Sequence, residues 1–302
     1  MRILVTGASG YIGSAVARFL QARGLDVIAT DQSAPAAVIG NIAYPQFARS
    51  LITAEVGAVF HLASLVSGGA EQNFELGTKV NLDATRDLLE ACRLAGHRPK
   101  FIFASSIAVY SGAEVITDDT PPLPRLSYGA QKLIAEILID DYTRRGYLDG
   151  RALRLPTVMV RAQSANTAVS GWASAIIREP LAGRDYVCPV RPETRMACIS
   201  LERVVESFFH AFDLPGEKLG PQRTVLLNGI PVSAQQMRDA AGGTGKVRFE
   251  PDPVMQKIMD AVPKATASKR ALALGFRHSA NIEEIVDEYK KNHTDPAISR
   301  NG

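Results

Sequence analysis

Cysteine is scarce. The 302-residue chain has Cys92, Cys188 and Cys198, an odd number with no C-x-x-C pair. That argues against a disulfide framework and for reduced thiols, packed as small side chains in a cytoplasmic protein. Long apolar runs are also missing, so no segment is expected to cross a membrane. The apolar start at Ile3 has no small-residue cleavage site behind it and reads as a strand rather than a signal peptide. His61, His97, His210, His278 and His293 stand isolated, which leaves no metal-ligand cluster. A net charge of +3 with scattered basic residues gives no nucleic-acid footprint. There is no internal repeat and no low-complexity stretch. What remains is a chain that is 46% apolar, enough for one large domain or two smaller ones with a sizeable core.

The amino-terminal stretch is the most informative. Ile3, Leu4 and Val5 make a short apolar run, long enough for one buried parallel strand. Gly7, Gly10 and Gly13 follow at G-x-x-G-x-x-G spacing. Ala15, Val16, Phe19 and Leu20 then recur at helical spacing until Gly24. The glycines thus sit where a strand turns into a helix. Gly7 allows the tight turn, Gly10 lets a pyrophosphate approach the backbone, and Gly13 lets helix pack on strand. Free N–H groups at the helix start complete an anion site. A second strand, Val27–Thr30, ends at Asp31, 18 residues after Gly13, where a dinucleotide site needs an acid for the adenosine ribose. Gln32 and Ser33 follow with no cation for a 2′-phosphate, so NAD is favoured over NADP. The competing reading, an ordinary glycine-rich turn, explains neither the second strand nor the acid.

Strand and helix signals alternate through the first half, as in a doubly wound parallel sheet. Ala58–Ser64 reads as a strand ending in small residues, which leaves room for a dinucleotide. Residues 71–95 read as one long helical region containing Asn81, whose side chain there can simply bond locally. Lys100–Ser105 is the next strand, with Ser106 at its carboxyl end, and residues 117–124 form a Pro-rich loop at the site edge. Tyr128 and Lys132 then open a helix at i and i+4, on one face. A strand from Gly150 ends at Pro156. Beyond Arg161 the alternation weakens, and residues 162–194 read as an insertion in a separate lobe. A strand-then-helix signal reaches Phe212, another strand covers Val225–Asn228, a helix is expected over Pro231–Ala241, and a last helix over Ile282–Lys290. The tail from His293 is polar and expected to fray. The organisation expected is a Rossmann domain over 1–161, with 196–228 returning to it, and a substrate lobe over 162–195 and 229–302.

Oxidising a hydroxyl with NAD needs a group that takes the hydroxyl proton as hydride leaves. Tyr128 can do so if its phenol is acidified, and Lys132 one turn away supplies positive charge. Lys132 can also donate to ribose hydroxyls, and Ser106 can hydrogen-bond the reacting oxygen. The bland alternative is a surface Tyr–Lys pair. Its place after a dinucleotide turn and a Ser-ending strand favours the catalytic one.

TGASGYIG from Thr6, HLAS from His61, VNLDATRDLLEA from Val80, SSIAVY from Ser105 and YGAQK from Tyr128 resemble the extended short-chain dehydrogenase/reductases, the NAD-dependent epimerase/dehydratase family. The resemblance implies a seven-stranded parallel sheet with a small C-terminal substrate lobe. It implies Ser106, Tyr128 and Lys132 as the catalytic set, with Asn81 in support. Stretches from Leu65, Thr117, Asp140, Ser174 and Cys188 resemble a subgroup that oxidises carbon 2 of a D-erythronate-like aldonate to the 2-oxo acid with NAD. The cofactor set expected is Gly7, Gly10, Tyr11, Ile12, Gly13, Asp31, Asn41, Leu62, Ala63, Ser64, Asn81, Tyr128, Lys132 and Pro156. Asn41 stands where the wider family carries Asp near the adenine, and Trp172 is bulkier than that subgroup's pattern. Substrate contacts are expected from Ser106, Tyr128 and either Arg161 or Arg195, because a bidentate guanidinium matches a carboxylate. Either arginine could instead form a surface or interlobe ion pair. The resemblance also implies a homodimer, formed through two exposed helices. The alternatives are a sugar-nucleotide epimerase or dehydratase that retains NAD, and a non-catalytic NAD-sensing protein. Ile107 and Ala108, in place of an acid after Ser106, count against a dehydratase.

Overall fold

The structure, a computed structural model, describes residues 1–161 and 169–294. In chain order the strands begin with β1 (Arg2–Thr6), β2 (Asp26–Asp31), β3 (Val38–Ile39), β4 (Val56–His61) and β5 (Lys100–Ser106). Next come β6 (Val115–Thr117), β7 (Asp149–Leu155), β8 (Thr157–Met159), β9 (Tyr186–Cys188) and β10 (Arg195–Ser200). The last are β11 (Thr224–Leu226), β12 (Ile230–Ser233), β13 (Val247–Phe249) and β14 (Ala265–Ala267).

Seven strands form one wholly parallel sheet in the order β11-β7-β5-β4-β1-β2-β3. The chain leaves β1 towards β2 in one direction and returns to β4 on the other side. That reversal opens a crevice beyond the carboxyl ends of β1 and β4. The expected doubly wound Rossmann sheet is therefore present. Its central strands are apolar throughout because both faces are covered. Ile3 and Val5 face a core with Val16 and Leu20 of the helix Tyr11–Gln21 and Val204 and Phe208 of the helix Leu201–Asp213. Leu4 faces the opposite core, with Leu88 and Leu89 of the helix Ala84–Ala95 and Ile139 of the helix Ser127–Arg144. Each such side chain, fully buried, is worth about 1.5–3 kcal/mol of transfer free energy.

A second core gathers Trp172, Ile176, Cys188, Met196, Met237, Met259 and Ile285. Three small sheets serve this lobe and its junction: β12-β10-β8, β13-β9 and β14-β6. The helix Leu201–Asp213 and β11 lie on the large sheet, whereas β10 pairs with β8 and β12. Ala271 and Phe276 also pack into the core of the large sheet. Residues 162–168 of the expected insertion and the tail from 295 lie outside the described residues. Cys92, Cys188 and Cys198 are buried free thiols. Among the described residues, no helix is long and apolar enough to cross a membrane.

Two helical expectations are corrected. Residues 71–95 are not one helix. The helix Ser67–Gln72 stops at Asn73, whose side chain accepts from the Leu76 N–H at 2.9 Å and caps a new helix, Phe74–Thr78. Residues Lys79–Asp83 then wind as a π-turn before the helix Ala84–Ala95. The helix expected from Pro231 starts only at Ala234. Ile230–Ser233 is instead strand β12, antiparallel to β10. Ser233 and Gln236 form a reciprocal capping box that fixes the later start.

The helix Ser127–Arg144 approaches the segment after β5 very closely. A Cβ built on Gly129 would lie 2.1 Å from the Ala108 carbonyl oxygen. Gly129→Ala should therefore destabilise the fold by about 1–3 kcal/mol in urea unfolding, the usual range for overpacking. A gain in stability, the ordinary result of Gly→Ala in a helix, would show that this approach is not tight.

Candidate active site

The glycine turn lies in the crevice. Gly7 has φ +71°, and a Cβ there would lie 2.6 Å from the Ala63 nitrogen. A Cβ on Gly13 would lie 2.0 Å from the Gly7 carbonyl oxygen. Side chains at these two positions would fill the cradle or push the helix off the strand. The helix Tyr11–Gln21 starts without a side-chain cap and without an acid in its first turn. Its amino terminus is thus free to take an anion, which fits a dinucleotide pyrophosphate. Asp31 is tied to the turn: one carboxylate oxygen accepts from the Ser9 N–H at 3.0 Å, the other from Gln32 N–H at 2.7 Å. Each oxygen keeps a lone pair for a ribose hydroxyl. Asn41 turns its amide oxygen back to the Ala43 N–H at 2.9 Å, which leaves its amide N–H groups for an adenine edge. Ile12 packs its side chain on the core. Pro156 is buried between β7 and β8 and lies close against Gly229.

Ser106, Tyr128 and Lys132 converge, although β5 and the helix Ser127–Arg144 are distant in sequence. The side chains of Ser64 and Ser106 lie at the Tyr128 phenol. Burial holds this phenol above its ordinary pKa, opposed by Ser64, by the charge of Arg161 and by Ser106. Arg161 is thus a second basic group acting on this phenol, beside Lys132 one helical turn away. The Lys132 ammonium lies 5.5 Å from the Tyr128 ring centroid and 4.5 Å from that of Phe103. Burial pulls its pKa down to about 7, against an upward pull from Glu136 one turn further on. Glu136 is itself committed. It accepts from Ser105 and forms a buried pair with Arg154, Nη2–Oε2 2.6 Å. Arg154 also donates to Tyr110. Glu71 accepts the Ser127 N–H and so caps the same helix.

Asn81 sits in the π-turn with its amide saturated. Its oxygen accepts from the Ser64 hydroxyl at 2.9 Å and the Leu65 N–H at 2.8 Å. Its nitrogen donates to the Leu65 carbonyl at 3.0 Å and to Gln131 at 2.7 Å. Asn81 thereby fastens the end of β4 to the helix that carries Tyr128 and Lys132. Its role is positioning, and no bond is left over for a ligand. His61 works beside it. Thr85 donates to the Asn81 carbonyl at 2.8 Å, so it accepts from His61 Nε2 at 2.9 Å. His61 Nδ1 then accepts from the Thr6 hydroxyl at 2.7 Å. Thr6 accepts in turn from the Leu62 and Ala63 N–H groups, both at 3.2 Å. Burial, with Lys132 adding to it, lowers the His61 pKa to about 3, so the imidazole is neutral.

Sequence reasoning missed His61, Glu71, Gln131 and Glu136. Glu136 left a signal, since it falls four residues after Lys132 on the same helical face. The two candidate arginines separate. Arg161 lies beside Tyr128, and its Nη1 is buried with no hydrogen-bond partner among the described residues. Burial lowers its pKa, opposed by Tyr11 and Tyr128. Arg195 is exposed at the start of β10, opposite Ser233 of β12. Trp172 is buried in the core of the second lobe, its indole N–H 3.1 Å from the Met259 sulfur.

Sheet, glycine turn and Tyr–Lys pair together define a Rossmann-type protein with a site shaped for a dinucleotide beside a polar reaction centre. The chain belongs to the NAD dependent epimerase/dehydratase family, whose model matches residues 3–200. It is 42% identical to a D-erythronate dehydrogenase from Cupriavidus necator, over 97% of this chain and 98% of that one. It is 37% identical to a D-erythronate dehydrogenase from Haemophilus influenzae, over 96% and 98%. Among solved structures, a nucleoside-diphosphate-sugar epimerase from Agrobacterium tumefaciens superposes with a TM-score of 0.89 at 32% identity, covering 97% of this chain and 94% of that one.

The lowered Lys132 pKa has a measurable consequence. Between pH 7 and the unfolded lysine value near 10.4, the unfolded chain binds a proton at this site and the folded chain does not. This group therefore makes stability rise with pH across that window. Lys132→Met should remove the rise: the variant should gain on the wild type in urea unfolding at pH 6, and the gain should shrink by pH 10. A difference independent of pH would place the ammonium in water.

Proposed function

We propose that the chain is an NAD-dependent dehydrogenase that oxidises the C2 hydroxyl of a small sugar acid, a D-erythronate-like aldonate, to the 2-oxo acid. One observation carries this reading. The Nη1 of Arg161, buried beside Tyr128 with no hydrogen-bond partner among the described residues, belongs to a cation that a substrate carboxylate would complete. Two relatives named D-erythronate dehydrogenase support the same choice. Asp31, with no adjacent cation, favours NAD over NADP.

A bound nicotinamide supplies the hydride acceptor and its own positive charge. The turn Gly7–Gly13, Asp31 and the Leu62–Ser64 backbone would hold the dinucleotide, with Lys132 donating to its ribose. Tyr128 takes the proton of the substrate hydroxyl as the C–H hydride departs, so carbon loses two electrons and the phenol ends protonated. For that it must enter the reaction as phenolate. The charge of Arg161 and a hydrogen bond from the Ser106 hydroxyl pull in that direction. Ser106 holds the reacting oxygen. The carboxylate on Arg161 places C2 against Tyr128.

A homodimer is part of this reading. The helices Ala84–Ala95 and Ser127–Arg144 expose Leu94 (66%), Ile134 (43%) and Ile137 (61%), apolar side chains that a second copy would cover. Sedimentation at assay concentration should give a dimer, and a monomer would contradict that reading.

A second reading, a sugar-nucleotide epimerase that retains NAD, is favoured by the solved epimerase structure. A panel of C4 to C6 aldonates and nucleotide sugars with NAD, followed at the nicotinamide absorbance band, separates the two. NADH growth with an aldonate is expected. Conversion of a nucleotide sugar without NADH growth would overturn the dehydrogenase. With the best acid, Tyr128→Phe should lower kcat more than about tenfold while NAD affinity holds. A smaller loss would remove Tyr128 as base.

A further inference from the structure

Tyr11 belongs to the nucleotide turn by its backbone, between Gly10 and Gly13, but its side chain goes elsewhere. The phenol donates to the Val160 carbonyl at 2.9 Å. That carbonyl and the Arg161 N–H are the two ends of one peptide unit. The Arg161 N–H donates to the Ser174 hydroxyl at 3.1 Å. The next carbonyl, that of Arg161, accepts from Arg178 at 2.9 Å. The backbone that launches the Arg161 side chain is therefore clamped at three successive groups. Ser174 and Arg178 lie on the helix Gly171–Leu181 of the second lobe. Tyr11 is the one clamp from the nucleotide half.

We infer that Tyr11 is a specificity-positioning residue: it fixes the Val160–Arg161 peptide so that the Arg161 guanidinium, whose Nη1 has no partner among the described residues, is aimed at the substrate carboxylate beside Tyr128. This rests on the function proposed above. The physical reason is the lever arm of the side chain. A peptide held at both its C=O and its N–H cannot rotate, and a guanidinium several bonds further out keeps one direction. With the C=O end released, the peptide turns about its remaining bond and the guanidinium samples several directions. Affinity for a carboxylate then falls, while the turn that holds the dinucleotide is untouched. Burial holds the Tyr11 phenol well above its ordinary pKa, so it remains a donor throughout the working range. The Arg161 charge acts on both phenols, Tyr11 and Tyr128.

The test is a double-mutant cycle with Tyr11→Phe and Arg161→Gln, read with the best aldonate, alongside NADH affinity by fluorescence. Tyr11→Phe should raise KM for the acid about fivefold, the loss of one hydrogen bond, with kcat and NADH affinity within about twofold. In the Arg161→Gln background the same change should alter kcat/KM by less than about twofold. Ser174→Ala, which opens the other end of the peptide, should repeat the KM-only signature and guards against a folding defect peculiar to Tyr11→Phe. Equal effects of Tyr11→Phe in both backgrounds, an unchanged KM, or a loss confined to NADH affinity would overturn the inference. If Arg161→Gln alone left KM unchanged, the carboxylate assignment would fall and this inference with it. A raised KM in Arg161→Gln with none in Tyr11→Phe would overturn the inference only.

Discussion

Two buried basic side chains stand near one phenol, and the site is organised by how little negative charge accompanies them. Lys132 lies 5.5 Å from the Tyr128 ring and is nearly inaccessible, while the charge of Arg161 acts on the same phenol and its Nη1 is buried with no hydrogen-bond partner among the described residues. Burying charge without a partner costs free energy, seen here in the lowered pKa values of both groups. The nearest buried carboxylate, Glu136, is spent on Arg154 and Ser105. Negative charge must come from outside or from Tyr128 itself. A cleft with this deficit favours a phenolate, an anionic substrate and the negative charge that develops as the hydroxyl proton departs.

The scaffold holds this arrangement with neutral groups whose bonds are used up. Asn81 joins β4 to the catalytic helix through four hydrogen bonds. His61 links the glycine-turn strand to the π-turn through Thr6 and Thr85 and adds no charge near Lys132. Such saturated polar links give geometry without competing for the ligand. Gly129 lets the catalytic helix come down onto the segment that follows Ser106, which sets the depth of Tyr128.

Much of the fold was legible because its signals are local. The run Ile3–Val5, the glycine spacing and the acid at Asp31 each fall within about thirty residues, and strand–helix alternation prescribes a parallel sheet. Ser106, Tyr128 and Lys132 were legible for the same reason, as strand end and helix start. What stayed hidden depends on tertiary contact. Nothing near Arg161 or Arg195 in sequence tells that one is buried beside Tyr128 and the other exposed. The π-turn at Lys79–Asp83 looks helical because its apolar spacing is nearly that of a helix. Strand β12 contains Pro231 and is four residues long, so the helix after it absorbed its pattern. The contribution of Arg161, which arrives from beyond β8, could not be read from the spacing of Tyr128 and Lys132.

The most direct measurement is a structure of the protein with NADH and the best aldonate or its oxidised product. The account predicts a carboxylate oxygen about 3 Å from Arg161 Nη1, with the C2 oxygen on the Tyr128 hydroxyl. A carboxylate bound elsewhere, with Nη1 still bare or taken by another protein group, would contradict it.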